Sequence, residues 1–309
     1  MSGFSACVLV GGALLVGAMA QDGDLRPPKP NIRVNSDLVL INASITDSHG
    51  TPVTDIASSR FHLFEDGHEQ TITYCVSEDS PVSIGLVLDT SGSMGDKLAA
   101  MKKAAIRFVR AANPSDEFFL VIFRDRPEIV GPFTSDTHRL ISEIESSEAG
   151  GSTALLDAFY LALQETRRGY YSRKALLVIS DGMDNHSRYS NREVKRLAQE
   201  VDFPVYTINM WKPDRSGNRY AIQRRDPGLL EEIAAPTGGR SFAVRDSKKL
   251  IAVAERIGSE IRHQYVLGYS SPPDHHRDRT FRRVSVRVAS PGGPKLRISH
   301  RSVYFADIE

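Results

Sequence analysis

Ile84-Gly85-Leu86-Val87-Leu88, a nearly unbroken apolar run, passes directly into Asp89-Thr90-Ser91-Gly92-Ser93-Met94. Such a run suits a strand covered on both faces, as in a parallel sheet, where alternation gives way to continuous apolarity. Three later stretches repeat it: Phe118 to Phe123, Ala175 to Ile179 and Val205 to Met210. Between them the apolar period changes. Leu98, Met101, Ala105, Phe108 and Ala112 fall on one helical face, with Lys97, Lys102, Lys103 and Arg107 largely elsewhere. Leu155, Ala158, Phe159 and Ala162 repeat that spacing, and Leu163 widens the stripe. Val194, Leu197 and Val201 follow it more weakly, as do Leu229, Leu230, Ile233 and Ala234 ahead of Gly238-Gly239. Strand and helix alternating over residues 82–260 predict a doubly wound, mostly parallel α/β sheet.

The flanks read differently. In residues 32–78, Val39, Ile41, Ala43 and Ile45 alternate, and Asp66-Gly67 stands between Phe61–Glu65 and Gln70–Tyr74 as a hairpin turn. In residues 262–306, Tyr265-Val266-Leu267-Gly268-Tyr269 is one strand; Val284, Val286 and Val288 form a second, and Leu296 and Ile298 a third. Two or three tail strands alone are a marginal unit. The simplest expectation is one accessory antiparallel β domain, built from both flanks, with the α/β domain inserted between them.

Residues 1–20 contain no charged side chain and end Ala18-Met19-Ala20, ahead of Gln21-Asp22. This is the pattern of a secretory signal peptide, although its first residues lack the usual Lys or Arg. Residues 21–31, with Arg26 to Asn31 proline-rich, form a linker. The folded part is therefore expected outside the cytoplasm (periplasmic, cell-surface or secreted), with membrane association only if the N-terminal segment is retained.

The chain has 309 residues, enough for about two domains. Lys plus Arg number 39 and Asp plus Glu 38, a net charge of +1 that argues against a nucleic-acid partner recruited by bulk charge. The two cysteines, Cys7 and Cys75, exclude a disulfide framework and a cysteine-based zinc site once the first is removed with the leader.

Chemistry gathers at the strand ends. The first buried strand delivers Asp89, Ser91 and Ser93; Gly150-Gly151-Ser152-Thr153 precedes a helix; and Ala175 to Ile179 runs into Ser180-Asp181-Gly182. In open α/β sheets ligands bind beyond the carboxyl ends of the strands, where strand order reverses. Two carboxylates and three hydroxyls are hard oxygen donors suited to Mg²⁺ or Mn²⁺.

Asp89, Ser91, Ser93, Thr153 and Asp181, in that order, resemble the metal-ion-dependent adhesion site of von Willebrand factor type A domains. Its pattern is D-x-S-x-S, then a Thr, then an Asp, each following its own element. The wider chain resembles the VWFA-related Acidobacterial domain family, through Phe64-Glu65-Asp66-Gly67, Asp89 to Ser93, and the tail from Tyr265 to Tyr304. The resemblance implies a non-enzymatic, adhesion-type binding module. On that resemblance Ser91, Ser93 and Thr153 would contact the ion directly, and Asp89 and Asp181 directly or through water. It further implies an open position that accepts an Asp or Glu carboxylate from a partner protein. Relatives with a second adjacent metal carry two neighbouring acids after D-x-S-x-S. Here Asp96 is followed by Lys97, which speaks against that site and leaves Asp96 as a first-turn acid favoured by the helix dipole.

The competing readings are a Mg²⁺-dependent phosphohydrolase with Asp89 as nucleophile, and a scaffold protein with an unused site. The first normally needs a second acid two residues on, and that position is Ser91. In a purely structural reading the hydroxyls of Ser91, Ser93 and Thr153 are helix caps and Asp181 an Asx-turn residue. Gly92 to Lys97 lacks the residue order of a phosphate loop. Asp274, His275, His276 and Asp278 read as a solvated loop, Lys212 to Arg225 as a long polar loop, and Arg283, Arg287, Lys295, Arg297 and Arg301 as the solvent face of a hairpin.

Overall fold

The computed structural model describes residues 38–78, 80–210, 228–271, 280–290 and 295–306. The expected leader and linker, the Lys212 to Arg225 loop and the His275-His276 loop lie outside the described residues.

The apolar runs form the core of a six-stranded sheet. β5 (Ser83–Asp89), β6 (Glu117–Phe123), β8 (Lys174–Ser180) and β9 (Val205–Asn209) are parallel neighbours, flanked by β10 (Ser241–Ala243) and the antiparallel β7 (Pro127–Ile129), in the order β10-β9-β8-β5-β6-β7. Every residue of β5 is buried, which is why its sequence shows no alternation. Strand parity then distributes side chains between two cores. Leu86, Leu88, Leu177 and Ile179 pack with α1 (Leu98–Arg110), α2 (Thr137–Ser146) and α6 (Leu250–Arg262). Val87, Phe119, Val121 and Val178 pack with α3 (Leu155–Thr166), α4 (Asn191–Glu200) and α5 (Leu229–Ala234). Helices on both faces of a mostly parallel sheet make the unit doubly wound. The strand order reverses between β5 and β8.

The flanking segments form two four-stranded antiparallel sheets that share one core. The first has the order β13 (Arg297–His300), β1 (Leu38–Thr46), β11 (Gln264–Ser270), β4 (Ile72–Glu78). The second has the order β14 (Val303–Phe305), β12 (Phe281–Val288), β2 (Phe61–Glu65), β3 (His68–Gln70). Ile41, Ala43 and Ile45 meet Leu63, Tyr269, Val286 and Tyr304 between them. Asp66 and Gly67, with φ of 47° and 88°, make the tight turn of the β2–β3 hairpin. One strand differs from the sequence reading. The run expected over Gln70–Tyr74 divides at Thr71: residues up to Gln70 pair with β2, while Ile72 onward crosses to the other sheet and pairs with β11. Arg301 also leaves the expected solvent stripe. It is 9% exposed, its guanidinium sits over the Tyr304 ring, and burial pushes its pKa down to about 10.

Where the α/β unit leaves and rejoins the sandwich, the chain runs in paired strands: Gln264 lies opposite Glu78, and Leu267 opposite Cys75. One side chain clips both connections. The Arg173 guanidinium donates to the Ser80 carbonyl at 2.9 Å and to the Ile261 and Arg262 carbonyls at 2.7 and 2.9 Å, satisfying acceptors at the end of α6. Arg173→Ala is expected to lower stability by about 1–3 kcal/mol, read from the urea unfolding midpoint, because acceptors in a half-buried junction lose charged donors. Arg173→Lys should recover less than half of that loss, since one ammonium cannot span both connections.

Candidate metal centre

Asp89 closes β5 and Asp181 follows β8, so two carboxylates leave neighbouring parallel strands at the point where strand order reverses. Both residues are buried, Asp89 fully and Asp181 at 2% exposure. Asp89 accepts the Ser180 hydroxyl at 2.6 Å on Oδ2 and the Ser91 backbone N–H at 2.9 Å on Oδ1. Burial pushes its pKa up to about 6, with the Asp181 charge adding to the rise and the hydrogen bonds from Ser180 and Ser91 opposing it. After Asp89 the chain makes a short 3-10 turn, Gly92–Met94, anchored by the fully buried Met94. This turn brings Ser91 Oγ and Ser93 Oγ to 3.1 Å.

The Thr153 loop is laced to that turn through the backbone. Gly150 N–H donates to the Thr90 carbonyl at 2.9 Å, and Gly92 N–H to the Gly151 carbonyl at 3.1 Å. Gly151 has φ +73°, and a side chain there would overlap the Asp125 carboxylate, which accepts Ser152 N–H at 2.8 Å. That bond, the largest influence on Asp125, holds its carboxyl below the usual range. Thr153 is 2% exposed and its backbone is fully engaged. Its N–H donates to Asn185 Oδ1 at 2.8 Å, and its carbonyl accepts the Asn185 and His186 N–H groups at 3.0 and 3.1 Å.

The hydroxyls of the candidate set are not helix caps. The amides opening α3 are taken by Asp184 Oδ1, 2.9 Å from Leu155 N, and by Ser187 Oγ, 3.0 Å from Leu156 N. Neither α3 nor α1 has a side-chain cap at its N-cap residue, and neither does the 3-10 turn that follows Ser91. Asp181 does make the Asx contact of the structural reading: its Oδ1 accepts Met183 N–H at 3.2 Å. Its Oδ2 accepts Lys97 Nζ at 2.6 Å, in an ion pair whose side chains are 7% and 0% exposed. The sequence alone puts Lys97 beside Asp96, as a deterrent to a second ion. In the structure it reaches the opposite strand end. α1 begins at Leu98 with Lys97 as N-cap, so Asp96 precedes the helix and is no first-turn acid.

Ser180, Asp184, Asn185 and Ser187 escaped sequence reasoning although they hold the centre together. The dense Ser180-Asp181-Gly182-Met183-Asp184-Asn185-His186-Ser187 stretch was their signal, since so polar a loop after a buried strand needs partners. Among the described residues no group of three or more His, Cys, Asp or Glu side chains gathers as a metal cage. The donor chemistry at the strand ends is two carboxylates with hydroxyls, which fits a hard divalent ion that keeps some of its water.

Residues 84–183 match the family model of the von Willebrand factor type A domain, and the protein carries such a domain in its α/β unit. An uncharacterised protein of Borreliella burgdorferi is 28% identical over 183 residues, 53% of this chain and 54% of that protein. An uncharacterised protein of Synechocystis is 30% identical over 189 residues, 59% of this chain and 44% of that protein. The chain thus spans about half the length of the curated relatives it matches. Among solved structures, a von Willebrand factor type A protein from Catenulispora acidiphila superposes with a TM-score of 0.51 at 14% identity, over 89% of this chain and 74% of that one. Proximal thread matrix protein 1 from the mussel byssus, with a zinc-occupied MIDAS motif, gives 0.51 at 18% identity, over 64% of this chain and 49% of that one.

Because the folded-state pKa of Asp89, about 6, lies above the ordinary carboxylate value, ionising it opposes folding. Its favourable contribution is complete below about pH 4 and is lost as pH rises through about 6. In metal-free buffer, wild-type stability should therefore fall relative to Asp89→Asn by about 1–3 kcal/mol between pH 4 and pH 7, measured by chemical denaturation.

Proposed function

We propose that this protein is an extracytoplasmic binding module. Asp89, Ser91, Ser93, Thr153 and Asp181 hold a Mg²⁺ or Mn²⁺ ion that captures an Asp or Glu side chain of a partner protein. The observation that carries the reading is the meeting of three loops: paired Ser91 and Ser93 hydroxyls at 3.1 Å, a Thr153 loop laced to them, and two buried carboxylates from adjacent strands. The family relationship supports it, as does the metal-occupied motif of the mussel-thread protein. Export is supported by the uncharged, apolar residues 1–20 with their small-x-small end.

A divalent ion bound here supplies an electrophilic position for an outside carboxylate. The chain's own residues do the rest. Thr153, its backbone satisfied at both ends, keeps its hydroxyl as its remaining polar group. Ser180 and the Ser91 N–H hold Asp89 in one orientation. Burial keeps water from screening the charges, which strengthens any pairing formed there.

The phosphohydrolase alternative fits poorly. Nucleophilic attack by Asp89 calls for an acid two residues on to transfer the proton, and that position is Ser91, whose N–H holds Asp89 instead.

The test is capture from an envelope fraction on immobilised full-length protein. Retention of a partner is expected in Mg²⁺, with release by EDTA and recovery on adding Mg²⁺ back. Ser91→Ala and Thr153→Ala should each weaken capture at least tenfold while lowering stability by less than about 1 kcal/mol, since neither hydroxyl caps a helix. Capture indifferent to EDTA would refute the reading, and so would Mg²⁺-dependent phosphatase turnover lost in Asp89→Ala.

A further inference from the structure

Lys97 is fastened to the turn that carries the paired serines. Its backbone N–H donates to the Met94 carbonyl at 2.8 Å, and its own carbonyl accepts from Ala100 and Met101 at 3.1 and 3.0 Å. From there its side chain crosses to Asp181, beyond the neighbouring strand, and places Nζ 2.6 Å from Oδ2 in surroundings almost closed to solvent. One ammonium and two carboxylates, those of Asp89 and Asp181, thus share a buried space. A buried ion pair is weak evidence for stability, because its desolvation opposes its attraction. What this pair does determine is the charge that an incoming ion meets. With both carboxylates ionised, the three groups together carry one negative charge. A divalent cation arriving there leaves one positive charge, whereas without the lysine it would leave none. Lysine also suits such a place better than arginine: its charge is compact and its stem flexible, with no bidentate geometry to dismantle.

We propose that Lys97 is a built-in counter-ion of the metal centre, competing with a divalent cation for Asp181 and leaving the loaded centre with the positive charge that a partner carboxylate neutralises. The proposal rests on the metal-binding reading above. It assigns to Lys97 a positioning and tuning role, in which metal affinity is given up and affinity for the acidic ligand is gained. The two effects have opposite signs, a signature that a merely structural lysine would not produce.

The experiment uses the full chain, titrated calorimetrically with Mg²⁺ alone, as wild type, Lys97→Gln, Lys97→Met and Lys97→Arg. The two neutral variants are expected to bind Mg²⁺ at least tenfold more tightly than wild type, and the arginine variant to stay within about threefold of it. In the Mn²⁺-loaded proteins, acetate displaces coordinated water and lowers water-proton relaxivity. Half-saturation should require at least threefold more acetate in the neutral variants than in wild type. If wild type binds Mg²⁺ and the neutral variants bind it equally or less tightly, the role given to Lys97 is wrong while the metal centre stands. Failure of all four proteins to bind Mg²⁺ or Mn²⁺ would remove both. Should a neutral variant unfold without metal, refolding on addition of Mg²⁺ is the expected result. Failure of both neutral variants to refold in Mg²⁺ would show that Lys97 serves the fold instead.

Discussion

Two carboxylates buried at the ends of neighbouring parallel strands are the constraint around which the α/β unit is arranged. Like charges in a space that excludes water repel strongly and must be given donors or cations. The chain supplies four donors from two segments: the Ser180 hydroxyl and the Ser91 N–H on Asp89, and the Met183 N–H and the Lys97 ammonium on Asp181. Ser180 and Lys97 each cross from one strand end to the other, so satisfying the pair also draws the two loops together. The sandwich buries a carboxylate as well. Glu65, 1% exposed, accepts the hydroxyls of Tyr269, Ser271 and Tyr304 at 2.7, 2.9 and 3.2 Å. Those hydroxyls come from both sides of the sandwich core, so this group too ties separate segments together.

Much of this was legible in the sequence because burial on two faces leaves an unmistakable trace. Continuous apolar runs marked β5, β6, β8 and β9, and the helical stripe of Met101, Ala105 and Phe108 marked α1. The five oxygen-bearing candidates were readable because each stands at or close to the end of such an element. Other features left a fainter trace. α2 buries only Leu140 and Ile144 of its ten residues, too few for a periodic stripe. The split at Thr71 between two sheets has no sequence signal, because alternation continues across it. The Asp184 and Ser187 contacts to the start of α3 join positions about thirty residues apart, and such pairings depend on the order of strands in the sheet. The aim of Lys97 belongs to the same class: its spacing from Asp89 was visible, but its reach to Asp181 follows from β8 lying beside β5.

The two parts of the molecule come from the sequence in different ways. Similarity over residues 84–183 defines the domain type. The sandwich owes its form to two flanks that are incomplete separately, since β1 needs β11 and β13 beside it and β2 needs β12. Folding of the flanks is thereby tied to completion of everything between them, a long loop to close before those strands can pair.

The paired connections have a mechanical consequence. Because β4 and β11 lie side by side and Arg173 clasps the chain at Ser80 and at Ile261–Arg262, a pull between the sandwich and the α/β unit is divided between two covalent tethers. Both tethers leave the same end of that strand pair, so the pull loads β4 and β11 together and is resisted by the ladder of β11 against β1. Strain between the two parts then passes through two connections clasped by one guanidinium, and not through a single hinge.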